Sequence, residues 1–190
     1  MENDFIYHKK KGLPDSLCIS LIDFFEKHPN KQKGYVYHGL NNLGIASSAK
    51  DSTDLTINFN KSNDSCIFNL HHYLCEEIHN YKEKYDFLKE LEFWKLEERF
   101  NIRKYIKDQA FHKIHCEHGP GDCSTRILAW MVYLNDVKNG GETFFPYQKK
   151  KFKSRRGDIL IWPAFWTHPH KGIPSNTETK YITTGWISFV

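Results

Sequence analysis

The sequence predicts an α+β fold in which N-terminal helices brace an antiparallel β-barrel or jelly roll. Helical periodicity is confined to the first half of the chain, and after about residue 93 short β-prone stretches separated by turn signals replace it. Aromatic residues make up 15% of the 190 residues, which suits side chains packed on pleated sheets. Helices followed by a run of strands are typical of α+β domains.

Two stretches carry the helical pattern. The first spans residues 15–28 and begins with Asp15, a residue type that can cap a helix. Its apolar residues at helical spacing are Leu17, Leu21, Phe24 and Phe25. The second begins near Asp64, and its apolar stripe consists of Ile67, Leu70, Leu74, Ile78 and Tyr81. Such a stripe needs a partner surface, most simply one face of a sheet.

The second half of the chain supplies most of the predicted strands. Residues 34–59 are turn-rich with short β-prone pieces. The strands predicted after residue 93 span 94–106, 110–117, 126–136, 142–147, 150–156, 158–164 and 180–189. No repeat or linker divides the chain, so we expect a single domain over 1–190, with helical support mainly in 13–92 and the barrel core mainly in 93–190.

Composition argues against several classes of protein. The net charge of +4 is too small to indicate a dedicated nucleic-acid-binding protein. No apolar run is long enough to cross a bilayer, and the mean hydropathy is −0.64, so we expect no membrane partner. The five cysteines are odd in number and form no C-x-x-C pair, which argues against a disulfide framework. These features together predict a cytoplasmic protein with reduced thiols.

Metal-capable side chains are concentrated in the segment "FHKIHCEHGPGDC", residues 111–123. On the predicted strand 110–117, His115 and Glu117 share one face because side chains alternate along a strand. A second histidine from a distant strand, His168 or His170, would complete the two-histidine, one-carboxylate arrangement of non-haem Fe(II) oxygenases. Taken alone, His-x-Glu is a weak signal, because a solvent-exposed histidine beside an acid is the commoner origin of such a motif.

One lysine lies in an unusual place for its residue type. On the predicted strand 180–189, Lys180 faces the same way as Ile182, Thr184 and Trp186. This pattern suggests an internal cation that awaits a carboxylate, because lysine is rarely buried without an anionic partner. An ordinary surface lysine on an exposed sheet face fits the same pattern.

Several motifs occur in a fixed order across the second half of the chain. They are "HCE", Arg126 leading to "YLND", "GGETFFP", "GDILIWP", "HKGIP" and "TKYITTGW". In this order, residues 105–186 resemble the core of the 2-oxoglutarate- and Fe(II)-dependent dioxygenases, particularly the prolyl 4-hydroxylase-like group. The stretch "KDSTDLTI", 50–57, is also similar to a sequence in phage and bacterial members. The resemblance implies a double-stranded β-helix, or jelly roll, as the core.

The resemblance also implies a ligand set for iron. His115, Glu117 and His170 would bind the metal. His170 is preferred over His168 because it begins the "H-x-x-x-P" motif and Lys180 follows ten residues later. The family's usual carboxylate is Asp, and the additional methylene of Glu117 changes the length of the ligand arm, which puts the metal geometry and turnover in question.

Further roles follow from the same resemblance. Lys180 would pair with the distal carboxylate of 2-oxoglutarate, and Tyr105 and Thr143 would hydrogen-bond this cosubstrate. Trp186 would form a wall of the pocket. Arg126 would act on the side of the peptide substrate, as a catalytic residue.

The function implied by the resemblance is hydroxylation of prolyl residues in a peptide or protein, with Fe(II), 2-oxoglutarate and O₂, and with ascorbate as a reductant. Hydroxylation of a free amino acid or other small metabolite remains an alternative. A nucleic-acid demethylase of the same superfamily is a further one, although such enzymes hold the cosubstrate with arginines in the terminal strand, and no arginine follows Arg156 here. A metal-binding barrel without turnover is the non-enzymatic alternative. The oligomeric state is not predicted.

Overall fold

The computed structural model of the chain describes residues 4–37, 43–44 and 46–190. Within them lie two α-helices, α1 (Asp15–Lys27) and α2 (Ser65–Lys84). The strands are β1 (Tyr7–Lys9), β2 (Gln32–Lys33), β3 (Val36–Tyr37), β4 (Leu43–Gly44), β5 (Thr53–Asn58), β6 (Trp94–Leu96), β7 (Arg99–Tyr105), β8 (Arg126–Tyr133), β9 (Thr143–Phe145), β10 (Lys150–Phe152), β11 (Ile159–Pro163), β12 (Lys171–Gly172) and β13 (Lys180–Phe189).

Both predicted helices are confirmed, and they differ in how they begin. The Asp64 carboxylate caps α2 by accepting a hydrogen bond from the backbone N–H of Cys66 at 2.9 Å. The cap position of α1 is Pro14, so Asp15 lies one residue inside the helix and does not cap it. A carboxylate in the first turn still interacts favourably with the helix dipole.

The strands form an antiparallel double-layer barrel. The larger sheet has the order β1-β11-β8-β13-β7-β5-β2, and β6 also pairs with β13. The smaller sheet has the order β10-β9-β12, and β3 and β4 form a separate pair. The α+β jelly-roll prediction is confirmed. Strands β1, β2 and β5 of the larger sheet come from the N-terminal half, so that half contributes more than helical support.

Side-chain alternation divides the larger sheet into two faces, as β8 illustrates. Leu128, Trp130 and Val132 of β8 belong to the core that the sheet forms with α1 and α2. Met131 and Tyr133 point the other way, into the barrel interior, together with Ala129. The predicted packing of the helical stripe on a sheet is therefore confirmed, and the opposite face is left to line a pocket.

The prediction of a strand over 110–117 is wrong. This segment makes only isolated bridges, one between Lys50 and Phe111 and one between His115 and His170. Hydrogen bonds to distant segments hold this backbone, and it has no continuous strand pairing. The periodicity of the local sequence does not predict such long-range bonds. Strands β1, β2 and β12 were not predicted, since each has only two or three residues. None of the helices in the described ranges is long and apolar enough to cross a bilayer.

Candidate active site

A backbone bridge joins the two histidines that the sequence places 55 positions apart. The His115 N–H donates to the His170 carbonyl at 3.0 Å, and the His170 N–H donates to the His115 carbonyl at 2.8 Å. Two residues later, the N–H groups of Glu117 and His118 both donate to the carbonyl of Ala164, at 3.0 and 2.9 Å. These bonds hold the loop against the end of β11 and bring three candidate ligands to one point.

Those ligands are the side chains of His115, Glu117 and His170, whose donor atoms all lie within 4.8 Å of one another. The Nε2 atoms of both histidines are 3.4 Å from the same carboxylate oxygen, Oε1 of Glu117. His115 Nδ1 lies 3.0 Å from the carbonyl of Lys113, and His170 Nδ1 lies 3.1 Å from that of His168. These carbonyls favour the tautomer with the proton on Nδ1, which leaves each Nε2 free to bind a metal.

Burial and proximity set the charge states of His115 and Glu117. Burial, followed by the nearby His170, lowers the pKa of His115, so its imidazole is neutral at physiological pH. Burial would raise the pKa of Glu117, but the adjacent His115 and His170 outweigh burial and hold that pKa well below its ordinary value. A neutral imidazole and an ionised carboxylate are the forms in which these side chains bind metals.

The second carboxylate oxygen of Glu117, Oε2, is contacted by Trp186 and Arg126. Trp186 Nε1 donates to Glu117 Oε2 at 2.7 Å, and Arg126 Nη1 lies 4.0 Å from the same oxygen. The Arg126 guanidinium lies 3.6 Å above the Trp186 ring, and its Nε is 3.3 Å from the Glu97 carboxylate. Trp186 was predicted to line the cosubstrate pocket and Arg126 to face the substrate. The structure places both next to the candidate metal carboxylate.

A pocket that is partly open to solvent extends from the three candidate ligands into the barrel. Lys180 lies in this pocket and is 7% exposed. Its Nζ lies 5.2 Å from the centre of the Tyr133 ring and 6.0 Å from that of Tyr105. No carboxylate of the described residues is within ion-pair distance, and burial lowers the pKa of Lys180 to about 7. An anionic ligand would relieve this cost, because a buried ammonium is unfavourable until it is paired.

Tyr105 and Thr143 line the same pocket as Lys180. Tyr105 lies directly opposite Lys180 in the pairing of β7 with β13, and burial raises its pKa to about 12, so its hydroxyl stays protonated. The Thr143 hydroxyl accepts a hydrogen bond from Tyr133 at 2.7 Å. Tyr133 was missed by sequence reasoning, although its position two residues after Met131 on β8 predicts an inward side chain.

The structure also distinguishes the two candidate histidines and adds an aromatic neighbour. His168 Nε2 lies 2.8 Å from the carbonyl of Asp4, and its Nδ1 lies 2.9 Å from the Thr167 hydroxyl, so neither ring nitrogen points to Glu117. The Phe111 ring stacks on His115 with 3.6 Å between ring centres. Phe111 was not singled out from the sequence, because an aromatic residue in a loop carries no periodic signal.

The donor set fits a ferrous ion on chemical grounds. Two imidazole nitrogens and one carboxylate oxygen, with the remaining side of the site open to a pocket, are the ligand type of non-haem Fe(II) oxygenases. The unpaired ammonium of Lys180 in the same pocket fits a cosubstrate that carries a carboxylate at its far end.

Comparison with known proteins agrees with this chemistry. Residues 100–188 match the family model of the 2OG-Fe(II) oxygenase superfamily. Over 117 residues the chain is 30% identical to an Arabidopsis thaliana protein named Probable prolyl 4-hydroxylase 9, a match that covers 47% of this chain and 40% of that protein. Over 119 residues it is 29% identical to Prolyl 4-hydroxylase 13 of the same plant, covering 47% and 42%. The matched region is thus about two fifths of the length of these relatives.

The fold is shared along nearly the whole chain with solved structures. A viral collagen prolyl hydroxylase from Paramecium Bursaria Chlorella virus-1, in a 2OG complex, aligns with a TM-score of 0.68 and 19% identity, covering 98% of this chain and 96% of that one. A prolyl hydroxylase from Trichoplax adhaerens, in complex with a hypoxia inducible factor peptide fragment, aligns with a TM-score of 0.72 and 13% identity, covering 97% and 84%.

Proposed function

We propose that the chain is a 2-oxoglutarate- and Fe(II)-dependent dioxygenase that hydroxylates prolyl residues in a peptide or protein, because residues 100–188 match the 2OG-Fe(II) oxygenase family model and the similar plant proteins are named prolyl 4-hydroxylases. The observation that carries this proposal is the convergence of His115, Glu117 and His170 at one end of a pocket that also contains the unpaired ammonium of Lys180. Members of this superfamily use Fe(II), 2-oxoglutarate and O₂.

In this proposal, the three converging side chains hold the iron. Glu117 would bind through Oε1, the oxygen that faces both imidazoles, while Oε2 remains hydrogen-bonded to Trp186. The carbonyls of Lys113 and His168 fix the orientation of the two rings. Bound iron would supply the activation of O₂ that oxidises an unactivated C–H bond.

Lys180 would bind the distal carboxylate of 2-oxoglutarate. Its surroundings support this role, because Tyr105 offers a protonated hydroxyl and Thr143 a second hydroxyl in the same pocket. A charge-assisted hydrogen bond in a site shielded from water is stronger than the same bond in solvent. The ammonium and the two hydroxyls therefore set the orientation of the cosubstrate relative to the iron ligands.

The substrate assignment rests on the relatives. Both curated relatives are named prolyl 4-hydroxylases, and the Trichoplax adhaerens structure contains a peptide fragment. We therefore propose a proline-containing peptide as the acceptor and ascorbate as the reductant that restores Fe(II). We further propose that residues 1–190 act as one domain, since α1 and α2 pack on the sheet that carries the pocket. A cytoplasmic location is also proposed, and the free state of all five cysteines supports it.

The test is mass spectrometry of proline-containing peptides incubated with the protein, Fe(II), 2-oxoglutarate and ascorbate. The expected result is a mass gain of one oxygen on proline together with succinate, both lost in His170→Ala. Succinate without peptide oxidation across a broad panel would remove the peptide substrate and favour a free amino acid or metabolite. The absence of both products with iron-loaded protein would contradict the proposed activity.

A further inference from the structure

A buried charged cluster lies beside the pocket and has no role in the proposal above. We call Lys50, Asp54 and Arg103 the inner charge cluster. Lys50 and Asp54 are 2% and 3% exposed, and they form an ion pair. Lys50 pairs with Oδ2 of Asp54, and Arg103 Nε lies 3.5 Å from that same oxygen. The Ser52 hydroxyl donates to Oδ1 of Asp54 at 2.7 Å.

The inner charge cluster contains one more cation than anion. Burial opposes the charge of Arg103, but Asp54 outweighs it and raises the pKa of the guanidinium. Burial, followed by repulsion from Arg103, lowers the pKa of Lys50 to about 8, which still leaves it mainly protonated at neutral pH. The single carboxylate of Asp54 is thus shared by two cations. A buried surplus of charge is unfavourable unless another anion pairs with it.

Arg103 is the member of the cluster that reaches the pocket. In the strand register Asp54 lies opposite Arg103, and Arg103 lies opposite Ile182, so these side chains share the inner face of the barrel. Arg103 lines the cavity together with Tyr105, and its buried Nε has no hydrogen-bond partner among the described residues. Along strands β7 and β13, the Arg103–Ile182 pair is the next inward-facing pair after the Tyr105–Lys180 pair.

We propose that Arg103, oriented by Asp54 and supported by the charge of Lys50, is a second carboxylate-binding group of this pocket. The planar guanidinium presents donors in a fixed fork that matches a carboxylate. This inference rests on the proposed function, in which Lys180 already binds the distal carboxylate of 2-oxoglutarate. The carboxylate at Arg103 has two sources, the other end of 2-oxoglutarate or an acidic group of the acceptor substrate.

Charge balance favours the acceptor substrate as that source. A ferrous ion, ionised Glu117, protonated Lys180 and doubly ionised 2-oxoglutarate together carry no net charge. Glu178, the other carboxylate of the described residues that lines the pocket, is already engaged by the backbone N–H groups of Lys138 and Asn139. The surplus positive charge of the inner charge cluster then remains in the pocket wall. An acceptor with a carboxylate next to the oxidised position would neutralise it.

The test uses protein loaded with Mn(II), which binds such ligands without turnover, and compares wild type with Arg103→Gln. Calorimetry measures the affinity for 2-oxoglutarate. Paramagnetic relaxation of ¹³C-labelled acetate measures carboxylate binding near the metal after saturation with 2-oxoglutarate. A fall of about tenfold or more in acetate affinity, with 2-oxoglutarate affinity unchanged, assigns the position to the acceptor. A similar fall for 2-oxoglutarate assigns it to the cosubstrate.

The matched control is Lys104→Gln, which removes a cation from the next residue of β7. Lys104 points away from the pocket and pairs with Glu26 at 2.8 Å, so both affinities should stay at the wild-type values. Arg103→Lys keeps a positive charge beside Asp54, so it controls for misfolding caused by an unpaired Asp54. It should lose less affinity than Arg103→Gln, because lysine lacks the planar fork of donors. If neither affinity changes in Arg103→Gln, the proposal is overturned.

The proposed function can fail separately. In Lys180→Met the affinity for 2-oxoglutarate should fall whatever Arg103 does, because the two residues occupy different positions of the pocket. An unchanged 2-oxoglutarate affinity in Lys180→Met would contradict the proposed cosubstrate site and leave the acetate result at Arg103 as an independent measurement.

Discussion

Replacing Trp186 with Phe removes one hydrogen bond from the candidate metal carboxylate and keeps an aromatic ring beneath Arg126. The lost bond, from Nε1 to Glu117 Oε2 at 2.7 Å, is short and charge-assisted, and the Glu117 side chain is only 14% exposed. Hydrogen bonds that orient a metal ligand in this way are typically worth about 10- to 100-fold in metal affinity. Metal affinity should therefore fall by about that factor, or about 1.4–2.8 kcal/mol.

Metal affinity depends on this hydrogen bond because the side chain of glutamate is long. Glu117 has one more rotatable bond than aspartate, so its carboxylate has more orientations to lose when it binds a metal. Trp186 restricts those orientations in the metal-free protein by holding Oε2, which leaves Oε1 facing both imidazoles. In Trp186→Phe the carboxylate has to be ordered when the metal binds, at the expense of affinity.

Titration calorimetry with Mn(II) in the absence of 2-oxoglutarate measures this effect directly. The matched control is Trp166→Phe, because Trp166 is 72% exposed and is not in contact with the ligands, so its loss should leave the affinity unchanged. If Trp186→Phe binds Mn(II) within twofold of wild type while remaining folded by circular dichroism, the carboxylate is not positioned by Trp186 and the reasoning is wrong.

Three other results are expected. Glu117→Asp, which withdraws the carboxylate by one bond from both imidazoles and from the indole, should weaken Mn(II) binding at least about tenfold; equal or tighter binding would show that the backbone follows the shorter arm. His170→Ala should abolish measurable Mn(II) binding, whereas His168→Ala should change thermal stability more than metal affinity; a comparable loss of affinity in both would contradict the choice of ligand. The affinity for 2-oxoglutarate should be nearly constant below pH 7 and fall above it, because free Lys180, with a pKa of about 7, must be protonated to pair with the carboxylate and binding raises that pKa; a profile that is flat from pH 6 to 9 in calorimetry would argue against a titrating Lys180.

The helices and the main strands were predictable because their signals are local. The stripe of α2 repeats every three to four residues, and four of its five members are buried as expected: Ile67, Leu70, Leu74 and Tyr81. The alternation along β13 likewise predicts that Lys180 and Ile182 share a face, and both side chains line the pocket. Such periodicity is visible in the local sequence, because each turn of a helix and each second residue of a strand presents a side chain to the same environment.

The sequence motifs also named the residues that the structure brings together around Glu117, although the predicted reason was wrong. A strand over 110–117 was expected to align His115 with Glu117 by alternation, but the segment is a loop. Its shape comes from bonds to His170 and Ala164, which lie more than 45 positions away. Loop backbones take their hydrogen bonds from whatever the fold places beside them, and no local pattern encodes that partner.

Local sequence patterns therefore predicted the α+β barrel, the buried faces of the helices and the side chains that could bind a metal or an anion. Only the tertiary structure decided which groups support them: the indole of Trp186 on Glu117, the Arg126 stack and the inner charge cluster beside the pocket. The contacts of Asp54 with Arg103, of Arg126 with Trp186 and of Glu117 with Trp186 join residues 49, 60 and 69 positions apart through side-chain geometry. A charge or a ring acquires its role from the dielectric and the neighbours that folding gives it, which depend on the whole chain at once.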